Sequence, residues 1–454
     1  MAPASNLPIV AIVGRPNVGK STLFNRFAGV RRALVEDVPG ITRDRIAAEI
    51  EVGGRRVLIV DTAGLDRDAE EGLYGAVQQQ AQAAISEADA VLFLVDGKSG
   101  LLPEDESVAR ALRQTSKPVL LAVNKIDRPQ HEARVGEFFG LGFEHTRGVS
   151  AEHATGAWDA LEELVEQIPE SREVGPVRDE GIRIAIVGRP NVGKSSLLNR
   201  LVGEDRVVVS DVPGTTRDAI DTLVVQGDQR FTLIDTAGLR RQGRRTRSAE
   251  RGSALMALRA LERAQVALIV IDASEGFGAQ DATIASLAHE RGCSTAILAN
   301  KWDLIEKSES DRAKEVREEI QRGLRFLGGA PLCQISAKTG AGVGRLLERA
   351  QKLQQTAEHR IPTAELNRWL QDCVRRHEPA MAQRGTRKRP LKFFYATQTT
   401  VRPPTFVLIC TDPSSVQPSY CRFLENRLRE RFGFDGIPIR LRLRPRSRKD
   451  DDRE

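Results

Sequence analysis

Short, almost unbroken apolar runs recur along the chain: Ile9 to Val13, Val57 to Val60, Ala90 to Val95 and Val119 to Val123. They return as Ile182 to Val187, Phe231 to Ile234, Ala267 to Ile271 and Thr295 to Ala299. Stretches of helical pattern separate them. A strand with one wet face alternates apolar and polar residues, whereas a strand covered on both faces does not. Buried strands alternating with helices predict doubly wound, mostly parallel α/β sheets. From Thr363 the pattern changes. An amphipathic helix is predicted over Glu365 to Arg376, strands over Leu391 to Thr399 and Phe406 to Thr411, a helix over Tyr420 to Phe432 and a strand over Ile437 to Leu443. That is a small α+β module.

The α/β pattern is written twice. Gly14-Arg15-Pro16-Asn17-Val18-Gly19-Lys20-Ser21 returns as Gly188 to Ser195, from start 14 to start 188, an offset of 174. Pro39-Gly40-Ile41-Thr42-Arg43-Asp44 returns at Pro213 and Asp61-Thr62-Ala63-Gly64 at Asp235, both at 174. Asn124-Lys125-Ile126-Asp127 returns at Asn300 with an offset of 176, and Ser150-Ala151 at Ser336 with an offset of 186. The order is conserved, so the halves are a duplication. The extra residues of the second half lie around Glu306 to Arg322, which reads as a helical insertion. Expected boundaries are 1–168 and 181–353 for the two units, 169–180 and 354–362 for linkers, 363–446 for the last module and 447–454 for a disordered tail.

Each motif has its own chemistry. Glycines between a strand and a helix let backbone N–H groups turn inward around phosphate oxygens, and the helix N-terminus adds a favourable dipole. The cradle residues are Gly14, Arg15, Pro16, Val18, Gly19, Lys20, Ser21 and Thr22, and in the second copy Gly188, Arg189, Pro190, Val192, Gly193, Lys194, Ser195 and Ser196. Lys20 and Lys194 reach the β- and γ-phosphates, while Ser21 and Ser195 ligate Mg²⁺. Asp61 and Asp235 sit at strand ends, placed to hold Mg²⁺ through water. The N–H of Gly64 and of Gly238 faces the γ-phosphate, and Thr42 and Thr216 lie on loops that close over metal and phosphate. Asn124, Lys125 and Asp127, with Asn300, Lys301 and Asp303, form the base site. A carboxylate there accepts from N1–H and the amino group of guanine, and adenine would leave it unpaired. This selects GTP and GDP over ATP. Ser150, Ala151, Ser336, Ala337 and Lys338 are counted with that site.

Composition narrows the setting. The chain has 454 residues, 40% hydrophobic and 29% charged. No apolar run approaches the ~20 residues of a membrane span, and the N-terminus lacks the pattern of a secretory signal. A cytoplasmic protein is expected. The five scattered cysteines suit reduced thiols. From Ile361 to Glu454 there are 20 Lys and Arg against 11 Asp and Glu, so the last module is strongly basic and the rest of the chain slightly acidic. That imbalance suggests a polyanionic partner. Arg384, Arg387, Lys388 and Arg389 form one basic cluster, and Arg440, Arg442, Arg444, Arg446 and Arg448 another. A literal GXXG, Gly433 to Gly436, lies between a helix end and a strand and reads as a helix stop and a turn rather than a nucleic-acid clamp.

The tandem arrangement, the Gly-Arg-Pro-Asn-Val-Gly-Lys-Ser loops and Pro-Gly-x-Thr-Arg-Asp resemble the translation-factor-related GTPases, and among them the bacterial Der or EngA family. The segments Thr405 to Ser415 and Tyr420 to Gly436 extend the resemblance to the tail. The resemblance implies two P-loop G domains followed by a KH-like domain, GTP hydrolysis, and a role in maturing the large ribosomal subunit through its rRNA. Neither membrane nor DNA is expected as a partner, and a monomer is expected. The residue after Asp-Thr-Ala-Gly is Leu65 or Leu239, where Ras-like enzymes carry a water-orienting Gln. In GTPases with such a hydrophobic replacement, K⁺ held by a loop Asn stands in for an arginine finger. Asn17 and Asn191 occupy that position, so K⁺ stimulation is expected. A metabolic enzyme spending GTP would need an acceptor pocket, and a membrane-remodelling GTPase would need a lipid-binding stretch. Neither is evident in the sequence.

Overall fold

The computed structural model describes residues 7–29, 47–62, 88–169, 181–203, 207–210, 221–236, 253–305, 310–379, 382–384, 387–389 and 391–446. Thr42, Gly64, Leu65, Thr216, Gly238 and Leu239 lie outside these residues. So do both Pro-Gly-x-Thr-Arg-Asp loops, residues 170–180 of the first linker and the tail 447–454.

The first unit is a six-stranded sheet in the order β2-β3-β1-β4-β5-β6. The strands are β1 (Ile9–Val13), β2 (Ala47–Val52), β3 (Arg55–Asp61), β4 (Ala90–Asp96), β5 (Val119–Asn124) and β6 (Thr146–Gly148). Only β2 runs antiparallel, paired with β3 from Ala47–Val60 to Val52–Arg55. All seven residues of β4 are buried. Removing one large aliphatic side chain from water contributes about 1.5–3 kcal/mol, so such a central strand anchors the sheet. Helices Lys20–Gly29 and Ala157–Glu166 bury Leu23, Phe24, Phe27, Leu161 and Leu164 against one sheet face.

The second unit repeats this frame in the order β13-β12-β11-β7-β10-β9-β8. Here the strands are β7 (Ile182–Val187), β8 (Val207–Ser210), β9 (Thr222–Gln226), β10 (Gln229–Leu233), β11 (Val266–Asp272), β12 (Ser294–Asn300) and β13 (Leu332–Gln334). The predicted insertion forms helix Ser310–Gly323. At the matching place the first unit has a 3₁₀ stretch, Pro129–Leu141.

The last module packs helices Thr363–Arg376 and Pro418–Phe432 on a three-stranded sheet of β16 (Phe393–Val401), β17 (Pro404–Cys410) and β18 (Arg440–Pro445), with β17 fully buried in the middle. A separate short hairpin, β14 (Ala382–Arg384) and β15 (Arg387–Arg389), carries the first basic cluster. Helix Leu346–Ala357 runs into the stretch 354–362 read as a linker, burying Leu353, Gln354 and Ala357. Ile361 is buried too, and its N–H donates to Gln398 Oε1 at 2.8 Å. One apolar cluster passes from the second sheet through Leu353 and Ile361 to Phe406, Leu424 and Phe434.

The Gly433–Gly436 loop is part of that joint. Gly433 ends its helix at φ 73°, and buried Phe434 follows. Thr295 N–H donates to the Gly436 carbonyl at 2.8 Å, and Gly436 N–H donates to the Gly328 carbonyl at 3.1 Å. The loop is spent on docking the module against the amino ends of β12 and β13, the edge opposite the nucleotide motifs. Between the first two units Arg259 pairs with Asp89 at 3.0 Å.

Candidate functional site

Both glycine loops connect a buried strand to a helix, β1 to Lys20–Gly29 and β7 to Lys194–Val202. The glycines at 14 and 188 are required by close approach. A Cβ on Gly14 would drive into the Leu94 carbonyl oxygen, and one on Gly188 into that of Val270. Gly19 and Gly193 have φ 101° and 98°, a left-handed region costly for other residues, and a Cβ there would collide with the Asn124 or Asn300 amide.

Lys20 Nζ donates to the carbonyls of Gly14 and Arg15, both at 2.8 Å; Lys194 Nζ donates to those of Gly188 and Arg189 at 2.8 and 2.5 Å. Each ammonium thus closes over its own loop. Burial pushes both pKa values down to about 8. A phosphate in the loop would supply the charge partner that the carbonyls only approximate.

The base motifs fasten the loops. Asn124 Nδ2 donates to the Val18 carbonyl at 2.7 Å, and Asn124 Oδ1 accepts from Ala151 N–H at 2.9 Å. Asn300 does the same with Val192 at 2.7 Å and Ala337 at 2.9 Å. One amide in each copy therefore joins phosphate loop, base motif and Ser-Ala turn. Lys125 and Lys301 have left-handed backbones, φ 67° and 58°, a costly conformation for a residue with a Cβ. Lys125 pairs with Asp96 at 2.5 Å, and Lys301 pairs with Asp272. Burial alone would raise the Asp96 and Asp272 carboxyls, but the lysine, a serine hydroxyl and a backbone N–H outweigh it and hold both below the usual carboxylate range. Asp127 accepts from Ser150 Oγ at 2.9 Å and pairs with Lys98 Nζ at 2.9 Å, and these two partners lower its pKa.

Sequence reasoning missed Asp96, Asp272 and Lys98, and also the braces Arg15–Asp105 (3.3 Å) and Arg189–Asp281 (2.9 Å). The repeat carried the signal for the braces: 105 and 281 differ by 176, the offset of the base motifs. Both aspartates are fully buried, which pushes their carboxyls up.

Of the residues expected to hold a metal, Asp61 ends β3 and is buried beside the first loop, while Asp235 follows β10. Ser21 and Ser195 open their helices. Serine hydroxyls and carboxylates are hard oxygen donors and fit Mg²⁺. Asn17 and Asn191 are exposed, at φ 63° and 62°. Pro16 and Lys338 are exposed as well and Pro190 is half-buried, Thr22 and Ser196 lie in the first turn of their helices, and Ser336 is buried beside Ala337. In the last module Arg440, Arg442 and Arg444 alternate on β18 as exposed residues, with Leu441 and Leu443 half-buried between them.

Residues 9–125 and 183–301 each match the family model for the 50S ribosome-binding GTPase, and residues 360–444 match the KH-domain-like C-terminal domain of EngA bacterial GTPase enzymes. GTPase Der of Symbiobacterium thermophilum is 49% identical over 442 residues, 97% of this chain and 93% of that protein. The chain belongs to the Der family of GTPases. Der of Syntrophotalea carbinolica, 45% identical, is matched over 98% of this chain and 100% of its own length. The Der relationship therefore includes the KH-like module. Among solved structures, Era in complex with MgGDPNP and nucleotides 1506–1542 of 16S ribosomal RNA aligns over 58% of this chain and 92% of its own at 20% identity and TM-score 0.27. A probable GTP-binding protein engB aligns over 36% and 100% at 26% identity and TM-score 0.26. Overlaps at this level add nothing to the family assignment.

Proposed function

We propose that the chain is a double GTP switch that binds the large ribosomal subunit and acts in its maturation, with nucleotide state setting how the G domains and the KH-like module are arranged. The observation that carries the nucleotide half is the amide staple made twice, by Asn124 and by Asn300, with matching bond lengths. In each copy that staple ties the glycine loop to the Asn-Lys-x-Asp motif and the Ser-Ala turn, which supports reading the three as one nucleotide site. The match to a 50S ribosome-binding GTPase model and the basic last module support the ribosomal half.

In each site the loop N–H groups and Lys20 or Lys194 bind the β- and γ-phosphates, and the carboxylate of Asp127 or Asp303 orients guanine. Mg²⁺, when bound, neutralises phosphate charge as it builds on the leaving oxygens. Ser21, Thr42 and Asp61, with Ser195, Thr216 and Asp235, are the residues that would hold it. Gly64 and Gly238 report the γ-phosphate through their N–H groups. Leu65 and Leu239 cannot orient water, and Asn17 and Asn191 are read as ligands of an activating K⁺. Hydrolysis should then be faster in K⁺ than in Na⁺ at equal ionic strength. The exposed arginines of β18 and a cleft of about 470 Å³ lined by Arg345, Arg349 and Lys352, together with Glu348 and Asp435, are candidate contacts for rRNA phosphates. Such contacts are to backbone charge, so binding should weaken steeply with salt. The chain is read as a cytoplasmic monomer; among the described residues no helix is long and apolar enough to cross a membrane.

Co-sedimentation with purified ribosomal subunits tests the reading. Binding to the large subunit with a non-hydrolysable GTP analogue, and less of it with GDP, is expected. No binding in either state, with GTPase activity intact, would leave a tandem GTPase without the ribosome.

A further inference from the structure

The first base site carries a cation that, among the described residues, the second lacks. After Asp96 the chain reads Gly97-Lys98-Ser99; after Asp272 it reads Ala273-Ser274-Glu275. The Lys98 and Ser99 N–H groups both turn toward Asp96 Oδ1, at 2.9 and 3.4 Å, and that turn delivers Lys98 to Asp127. Lys98 Nζ lies 2.9 Å from Asp127 Oδ2, and Ser150 Oγ donates to Oδ1 at 2.9 Å. Both oxygens that guanine needs are thus engaged by the protein. In the second copy Ser274 folds back on Asp272, its N–H at 2.9 Å and its hydroxyl at 2.6 Å. Among the described residues no Lys or Arg pairs with Asp303.

We propose that Lys98 is a built-in competitor for the guanine base in the first site. Its ammonium holds the base-reading carboxylate until an entering nucleotide displaces it, and among the described residues the second site has no such competitor. The inference rests on the reading of Asp127 as the guanine selector. The Lys98 side chain is 51% exposed, so the ammonium regains its water when it leaves. Displacement therefore costs what an exposed ion pair is worth. Lys125 is committed to Asp96, so it does not replace Lys98 at Asp127.

The test uses the full-length protein with the second site silenced by Lys194→Ala, and a fluorescent GDP analogue followed by stopped flow and at equilibrium. Lys98→Ser should speed association and tighten binding about two- to fivefold, the range expected of an exposed pair. Dissociation should hardly change, and the gain should shrink as salt rises. If Lys98 merely drew the anionic nucleotide in, its removal would weaken binding instead. With Lys20→Ala silencing the first site, Ser274→Lys should weaken the second site by a similar factor. Unchanged or weaker binding in Lys98→Ser, while Asp127→Asn destroys guanine binding, would overturn the competitor and leave the base reading standing. Unchanged guanine binding in Asp127→Asn would overturn the base reading and the competitor with it.

Discussion

In the first G domain Asp61 closes β3, and Thr62 Oγ1 donates to the Ile12 carbonyl at 2.8 Å. In the second, Asp235 stands beyond β10 at φ 55° and its N–H donates to Asp221 Oδ1 at 3.0 Å. Thr236 there shares a 2.8 Å hydroxyl bond with Thr222, and Asp221 is itself paired with Arg263. The phosphate loops and their Asn staples, by contrast, agree between the copies to a tenth of an ångström in their amide bonds. The glycine loops and their Asn staples are the same in both copies, and the ends of β3 and β10 are tied differently.

The two lysines should show the largest effects. Lys20→Ala and Lys194→Ala should each weaken nucleotide binding at their own site by at least about a hundredfold, since each removes charge-assisted bonds to phosphate. Binding at the other site should persist, as equilibrium titration would show. A smaller effect is expected from the staples. Asn124→Ala leaves the Val18 carbonyl and the Ala151 N–H without their partner in a buried place, at about 2–4 kcal/mol for the two groups. Thermal unfolding should show one G domain destabilised, and Asn300→Ala should destabilise the other.

The pH dependence should be common to both sites. Burial brings Lys20 and Lys194 down to about 8 from 10.5, and a bound phosphate would raise them again. The protonated form binds, so affinity is full below pH 8 and falls as pH rises past it. Calorimetry above that pH in buffers of different ionisation enthalpy should detect proton uptake on binding. For the nucleotide-free protein the sign is opposite, because a lysine depressed by folding destabilises the fold while it is charged. Between about pH 8 and 10.5 its contribution to stability should therefore improve as pH rises. The smallest effect concerns the Arg259–Asp89 pair between the G domains, whose side chains are 27% and 40% exposed. A double-mutant cycle should return about 0.5 kcal/mol.

Most of the frame was legible because β1, β3, β4, β5, β7, β11 and β12 are buried on both faces and spell apolar runs. β2 was not, since Ala47–Val52 reads AAEIEV and lies half-exposed at a sheet edge. β6 and β13, three residues each, are too short to leave a pattern. The phosphate and base motifs were legible as letters because their chemistry requires those residue types. The Lys98–Asp127 contact was not, since it joins residues 29 apart through a turn that only the folded sheet brings together. The helix Leu346–Ala357 runs into the stretch read as a linker because Leu353 and Ala357 are buried in the joint with the last module, which the polar composition of that stretch does not reveal.

Both copies should be working guanine sites built on one frame. The most direct measurement is the stoichiometry of GDP binding by isothermal titration calorimetry for the intact protein, Asp127→Asn, Asp303→Asn and the double variant. Two GDP per chain, one in each single variant and none in the double are predicted. One GDP in the intact protein, lost in one single variant and untouched in the other, would contradict the account.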